Sequence, residues 1–258
     1  MFDNVNQNAN ITATIPAPLD IRPKGSLEEQ VGYFNQLRRD FPEIVSPLIA
    51  ASLSAPLLAA LGLDGFTFNI IGNAGTGKTT LLELIASIWK DPAIAVHNGF
   101  MTDCAYQRMA VLENPLALFV DEPAEDLPRI RKGVFISAMN GHSTGIFAAD
   151  LPDTSAFQEN APDVRRFAAE HYGQIGQEFM CVLQNEDCLD EAKYLVERFA
   201  DKLRKNGFTA KQALCAAACL TADTLASEYV FKDEDMALRL TAEDLFPFFS
   251  TYFSACHS

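Results

Sequence analysis

Phe66-Thr67-Phe68-Asn69-Ile70-Ile71-Gly72-Asn73-Ala74-Gly75-Thr76-Gly77-Lys78-Thr79-Thr80 is the stretch on which the reading of this chain turns. Its first six residues alternate large apolar side chains and are rich in β-formers, which predicts a strand. Gly72, Gly77, Lys78 and Thr79 then complete the spacing G-x-x-x-x-G-K-[ST]. From Lys78 onward, Leu81, Leu82, Leu84, Ile85, Ile88 and Trp89 recur at helical spacing. Strand, glycine loop and helix N-terminus, in that order, suit an anion. Glycines let backbone N–H groups curl around a phosphate, and the helix end adds partial positive charge. Gly72, Asn73, Ala74, Gly75, Thr76, Gly77, Lys78, Thr79 and Thr80 are therefore the candidate residues for holding ATP. Lys78 can reach the β- and γ-phosphates, which makes it a catalytic candidate too, and the Thr79 hydroxyl can ligate Mg²⁺.

A second half of the site is expected downstream. Leu116-Ala117-Leu118-Phe119-Val120 is an apolar run suited to a strand buried on both faces, and it ends in Asp121-Glu122-Pro123. Adjacent carboxylates at the end of such a strand form the Walker B pattern. Asp121 would hold the Mg²⁺ shell, and Glu122 would polarise the water that attacks the γ-phosphate. The glutamate favours an ATPase over a GTPase, and the chain has no Asn/Thr-Lys-x-Asp motif for reading guanine.

At 258 residues, 48% hydrophobic and 21% charged, the chain can hold one α/β domain with a modest appendage. A net charge of −14 argues against free-standing nucleic-acid binding, because duplex affinity depends on neutralising phosphates. It leaves room for a local basic loop. The basic clusters Arg129-Ile130-Arg131-Lys132, Arg165-Arg166 and Lys202-Leu203-Arg204-Lys205 each read, taken alone, as solvated helix faces. No membrane span is expected. The longest apolar stretch, 49–63, is interrupted by Ser52, Ser54 and Pro56 and falls short of a bilayer. With no signal-peptide pattern and no C-x-x-C pair among six cysteines, the reading is a cytoplasmic protein with free thiols.

The expected fold class is α/β: a three-layer P-loop NTPase core with a parallel sheet, preceded by N-terminal helices and followed by an all-helical lobe. The segmentation is a flexible arm over 1–25, the ATPase core with its leading helices over 26–150, and the helical lobe over 151–258. Helices are predicted over 26–40, 43–62, 102–112 and 124–141, with a short strand over 93–97. Residues 142–160 read as irregular. From 162 onward the prediction is helical, over 162–184, 187–206, 209–229 and 241–255, with breaks at Gly207 and at Lys232-Asp233-Glu234-Asp235.

Several segments together resemble the Domain of Unknown Function 927 family. They are Leu57-Leu58-Ala59-Ala60-Leu61, Phe66-Thr67-Phe68 with the glycine loop, Ala86-Ser87-Ile88-Trp89, Asn98-Gly99 and Val120-Asp121-Glu122. Met139-Asn140-Gly141, Gly145-Ile146-Phe147 and His171-Tyr172-Gly173 with Gly176 and Phe179 continue the likeness, which covers roughly residues 40–230. The resemblance implies P-loop proteins of phages and mobile elements, often found beside primase modules. These are related to AAA+ hexameric helicases that resemble the MCM replicative helicases. It therefore implies DNA as a partner, through a homo-oligomer or a partner protein.

The chain also departs from that family. Asn140-Gly141-His142 passes almost directly to Gly145-Ile146-Phe147, where the family holds a core strand, a Ser-Thr-Gly-Glu-like sensor element and an arginine-bearing stretch. His142-Ser143-Thr144-Gly145 would be a remnant of the sensor element, with no apolar strand before it. The glutamate expected soon after Asn98-Gly99 is absent, and the reading expects no upstream primase-like region. Arg129, Arg131, Arg165 and Arg166 are then the candidates for an arginine finger, a group worth about three to five orders of magnitude in rate. Two readings follow. One is a Mg²⁺-dependent ATPase of helicase type. The alternative is a hydrolysis-poor ATP-binding module that regulates a replication helicase. A small-molecule kinase is a third and weaker reading, since no phosphoacceptor site or arginine-rich lid motif stands out.

Overall fold

The computed structural model describes residues 22–73, 75–99, 102–121, 133–138, 143–150, 155–233, 238–249 and 252–253. Helix α1 (Leu27–Asp40) starts where expected, with the Ser26 hydroxyl accepting from the Glu29 amide and Glu28 and Glu29 in the first turn. Helix α2 (Pro42–Ala60) follows at once. Strand β1 (Gly65–Ile71) leads into α3 (Lys78–Ala86). A short helix α4 (Pro92–Ala95), strand β2 (Val96–Asn98), helix α5 (Asp103–Glu113) and strand β3 (Leu118–Asp121) come next. Strands β4 (Gly133–Ala138) and β5 (Ser143–Asp150) complete the centre of the sheet. Helices α6 (Ser155–Glu159), α7 (Ala161–Glu170), α8 (Gln174–Gln184), α9 (Glu186–Lys205) and α10 (Ala210–Leu225) build the C-terminal part. It continues through a π-helical turn (Ala226–Val230) to α11 (Ala242–Phe249) and the short strand β6 (Tyr252–Phe253).

The expected three-layer core with a parallel sheet is not what forms. The described residues are predominantly helical, and the sheet is mixed, in the order β2-β3-β4-β1-β5-β6. β2 pairs with β3 and β1 with β5 in parallel, but β4 runs antiparallel to both β3 and β1, and β6 antiparallel to β5. Parallel neighbours need long crossover connections, and an antiparallel neighbour does not. The 11 residues 122–132 therefore suffice to bring β4 beside β3. The helices also divide unevenly between the two faces. Phe66, Phe68, Ile70 and Phe119 belong to the main core with α2, α3, α10 and α11. Leu118 and Val120 point the other way, onto Ala110, Tyr106 and Met109 of α5. One face thus carries the bulk of the helices, an arrangement of α+β character.

Local expectations are corrected with it. The segment 124–141, expected to be helical, contains β4. Its apolar run Val134-Phe135-Ile136 is too short for periodicity to separate helix from strand, and pairing with β1 on one side and β3 on the other makes it a strand. The stretch 142–160, expected to be irregular, holds β5 and α6, so a strand does follow Asn140-Gly141 and begins at the sensor-like Ser143-Thr144-Gly145. The predicted strand over 93–97 is mostly the helix α4, with β2 starting at Val96, and the helix predicted over 241–255 stops at Phe249, with 252–253 paired to β5 as β6.

α2 is the one described helix long and apolar enough to cross a membrane, but 89% of its apolar window is buried inside the protein. Its polar atoms find partners there: the Ser54 hydroxyl donates to Ala51 O at 2.7 Å, and Ser52 Oγ accepts from the Trp89 indole at 2.8 Å. Phe66 and Phe68 meet Phe249 and Phe248 of α11 with centroids 5.9 and 5.1 Å apart. Cys188, Cys215 and Cys219 are buried free thiols, and burial pushes Cys215 up to about 12. Cys104 and Cys181 are free but exposed, and Cys256 lies outside the described residues.

The end of α3 is joined head-on to the start of α8. Gly173 N donates to Ser87 O at 2.8 Å and Gly176 N to Ile88 O at 2.9 Å. Gln30 of α1, fully buried, links the two. Its carboxamide donates to Ser87 O (3.0 Å) and His171 O (3.3 Å) and accepts from Ile175 N (2.9 Å). Lys24 pairs with Tyr172 through two backbone hydrogen bonds, so the chain is held from Lys24 on, within the arm expected to be flexible. A second buried polar cluster surrounds Arg38, which reaches Asp233 (2.6 Å), Asp223 (3.8 Å), the Ser227 hydroxyl (3.1 Å) and Leu238 O (3.0 Å). Burial is the main influence on Asp223 and pushes its carboxyl up to about 6, against the opposing pull of the Leu240 amide and Arg38.

Two outcomes are expected. A Cβ on Gly176 would lie 2.5 Å from both Ile88 O and Trp89 Cε3. Gly176→Ala should therefore lower the unfolding free energy by about 2–3 kcal/mol in urea titration; a change under about 0.5 kcal/mol would show that the junction yields easily. Asp223, raised on folding, adds stability that is present below its unfolded value near 3.8 and lost as pH rises through about 6. Asp223→Asn should accordingly gain on the wild type by on the order of 3 kcal/mol between about pH 3.5 and pH 7. A difference that stays flat across this range would refute the burial argument.

Candidate functional site

β1 delivers the chain to the sheet edge at Ile71, and the glycine loop turns there into α3. Gly75 (φ +78°) and Gly77 (φ +83°) both take left-handed backbone, which a Cβ would strain. Gly77 sits at the N-cap of α3 with no side-chain cap, so the first amides of that helix face the loop. The Lys78 ammonium folds back into the loop. It donates to Gly72 O (2.8 Å), Asn73 O (2.6 Å) and Thr76 Oγ1 (3.4 Å), and the Thr76 hydroxyl donates to Asn73 O (2.8 Å). Thr79 follows half-buried on the first turn of α3, and Thr80 is buried. Ala74 lies outside the described residues.

Asp121 ends β3 at the same edge. In register, Asn98 pairs with Asp121, Asp121 with Val134, and Gly133 with Ile71. β4 therefore separates the Asp121 strand from the loop strand, which puts their axes about 10 Å apart. Gly99 N donates to Asp121 O at 2.7 Å, fixing the end of β3 against the turn after β2. The half-buried Asp121 and the glycine loop thus share one edge, and Glu122 lies outside the described residues. Asp150 pairs with Ile71 and reaches that edge too; it went unnoticed in the sequence because its segment read as irregular.

The helices after β5 add contacts that no motif announced. Gln158 of α6 stands over the loop: a Cβ on Gly75 would lie 3.4 Å from its Nε2, and one on Gly77 would lie 3.7 Å from its backbone N. Arg165 of α7 pairs with Glu83 of α3 at 2.7 Å, and Arg166 pairs with Asp163 on its own helix at 2.7 Å. Both arginine-finger candidates in α7 are thus engaged, while Arg129 and Arg131 lie outside the described residues. Arg204 pairs with Asp201, and Lys202, Arg204 and Lys205 fill the last turn of α9, where positive charge opposes the helix dipole. Among the described residues, no group of three or more His, Cys, Asp or Glu is placed to hold a metal.

Comparison with curated proteins and with solved structures gives no significant match. A protein-family model described as "Domain of unknown function (DUF927)" matches residues 6–144. The match takes in the glycine loop and Asp121-Glu122 and ends within the first residues of β5. By that match over more than half its length, the chain belongs to the DUF927 family.

Proposed function

We propose that this protein binds ATP with Mg²⁺ at the 72–80 loop and is a Mg²⁺-dependent ATPase related to the DNA helicases of phages and mobile elements. The observation that carries the reading is the loop itself. Two left-handed glycines and the Lys78 ammonium converge at the start of α3, on the sheet edge that Asp121 shares. The donor set fits a metal-bound triphosphate. Backbone amides and Lys78 would hold the phosphates, and Thr79 with Asp121 would hold the metal. The bound ion would supply positive charge against the phosphoryl oxygens. Lys78 donates to loop oxygens of Gly72, Asn73 and Thr76, and phosphate oxygens would take their place as acceptors. Glu122, next to Asp121, would take the proton of the attacking water. Action on DNA would run through a homo-oligomer or a partner protein, because the net charge of −14 disfavours direct duplex binding.

One observation favours the second reading, a hydrolysis-poor module that binds ATP and regulates a replication helicase. Arg165 and Arg166 are spent on Glu83 and Asp163, so α7 offers no uncommitted arginine to the site. Steady-state hydrolysis with Mg²⁺, with and without single-stranded DNA, separates the two. The ATPase reading expects turnover raised by DNA, ATP affinity lowered roughly 100-fold in Lys78→Ala, and turnover lowered about 10²- to 10⁴-fold in Glu122→Gln. ATP bound without turnover, and released by Lys78→Ala, would replace the motor with the regulatory module. Binding unaffected by Lys78→Ala would remove both.

A further inference from the structure

We infer that Gln158 is a nucleotide-binding residue, its carboxamide donating to the phosphoryl chain held by the glycine loop. The inference rests on the ATP reading of that loop and goes past its motif, since α6 is 80 residues downstream of Lys78 and belongs to no phosphate-binding pattern. Three observations meet at this residue. The Nε2 of Gln158 and its backbone N both face the two left-handed glycines, 3.4 and 3.7 Å from where a Cβ would stand on Gly75 and Gly77. The Gln158 side chain is exposed, so it is free to reorient toward a ligand. α7, which begins two residues after α6 ends, is fastened to the loop's own helix by Arg165–Glu83, which keeps α6 at the loop.

The chemistry selects the ligand. The glycine loop presents N–H donors and a cation, and a carboxamide nitrogen adds two more donors without charge. A carboxylate at the same place would face the phosphates with like charge, and an apolar residue would bring no donor. Gln158 thus acts as an uncharged clamp that completes the donor set from the C-terminal helices. Phosphate binding would then be felt in α6 and α7 as well as in α3.

The test is equilibrium titration of the full chain with a fluorescent ATP analogue and Mg²⁺, beside thermal melting of the nucleotide-free protein. Gln158→Met keeps the length and packing of the side chain and removes its donors. It should weaken ATP binding about tenfold, as loss of one hydrogen bond to a charged group does, with an unchanged melting temperature. Gln158→Glu should weaken binding further, and the excess over Met should shrink as salt is raised. ATP affinity within twofold of wild type in both variants, with affinity still lowered roughly 100-fold by Lys78→Ala, would overturn this inference and leave the ATP reading standing. If Lys78→Ala binds as well as wild type, or neither binds, the ATP reading itself fails and this inference falls with it.

Discussion

The architecture depends on the end-to-end meeting of α3 and α8. The last carbonyls of a helix have no partner within it, and neither do the first amides of the next. Here Ser87 O and Ile88 O receive Gly173 N and Gly176 N, so each end satisfies the other inside the core. Gln30 closes the remaining gap with three hydrogen bonds of its own. The approach is close enough that only glycine fits at 176, with the Trp89 ring against it. A buried amide left without this partner would cost about 1–3 kcal/mol, so α1, α3 and α8 are fixed as a unit. The loop at the front of α3 is aimed by what holds the back of the same helix.

That junction gives a physical account of the sequence elements that set this chain apart from other glycine-loop proteins. Ala86-Ser87-Ile88-Trp89 and His171-Tyr172-Gly173 with Gly176 lie more than 80 residues apart and meet here. Trp89 is anchored from beneath by Ser52 of α2, and Tyr172 bridges to Lys24. His171 stacks on Phe167, which stacks in turn on Tyr33, so α7 is drawn against α1 by the same contacts. The main hydrophobic core accordingly runs unbroken from Phe34 of α1 to Phe249 of α11.

Legibility in the sequence followed the range of the forces involved. Helices with strong caps were readable: α1 begins at Ser26, α5 at Thr102, and α10 at Thr209, whose side chain closes a capping box with Gln212. The glycine loop was readable because its backbone geometry is demanded by residue type alone, at Gly75 and Gly77. β4 was not readable. Its three apolar residues suit either secondary structure, and it is a strand because β1 and β3 leave open edges on either side of it. Gln158 carries no signal of any kind in the chain; only the fold sets it over Gly75.

The sequence by itself determined the loop of residues 72–80, the helix behind it, and an apolar strand ending in Asp121, since turn chemistry and burial patterns are local properties. Tertiary structure alone decided that the sheet is mixed, that its helices gather on one face, and that Asp121 and Asp150 end at the edge where the loop begins. Strand direction is set by which unpaired edge a segment can reach within the length of its connection, and no residue encodes that individually. The partners of Arg165 and Gln158 were fixed in the same way, by how α6 and α7 pack against α3 once the α3–α8 junction has formed.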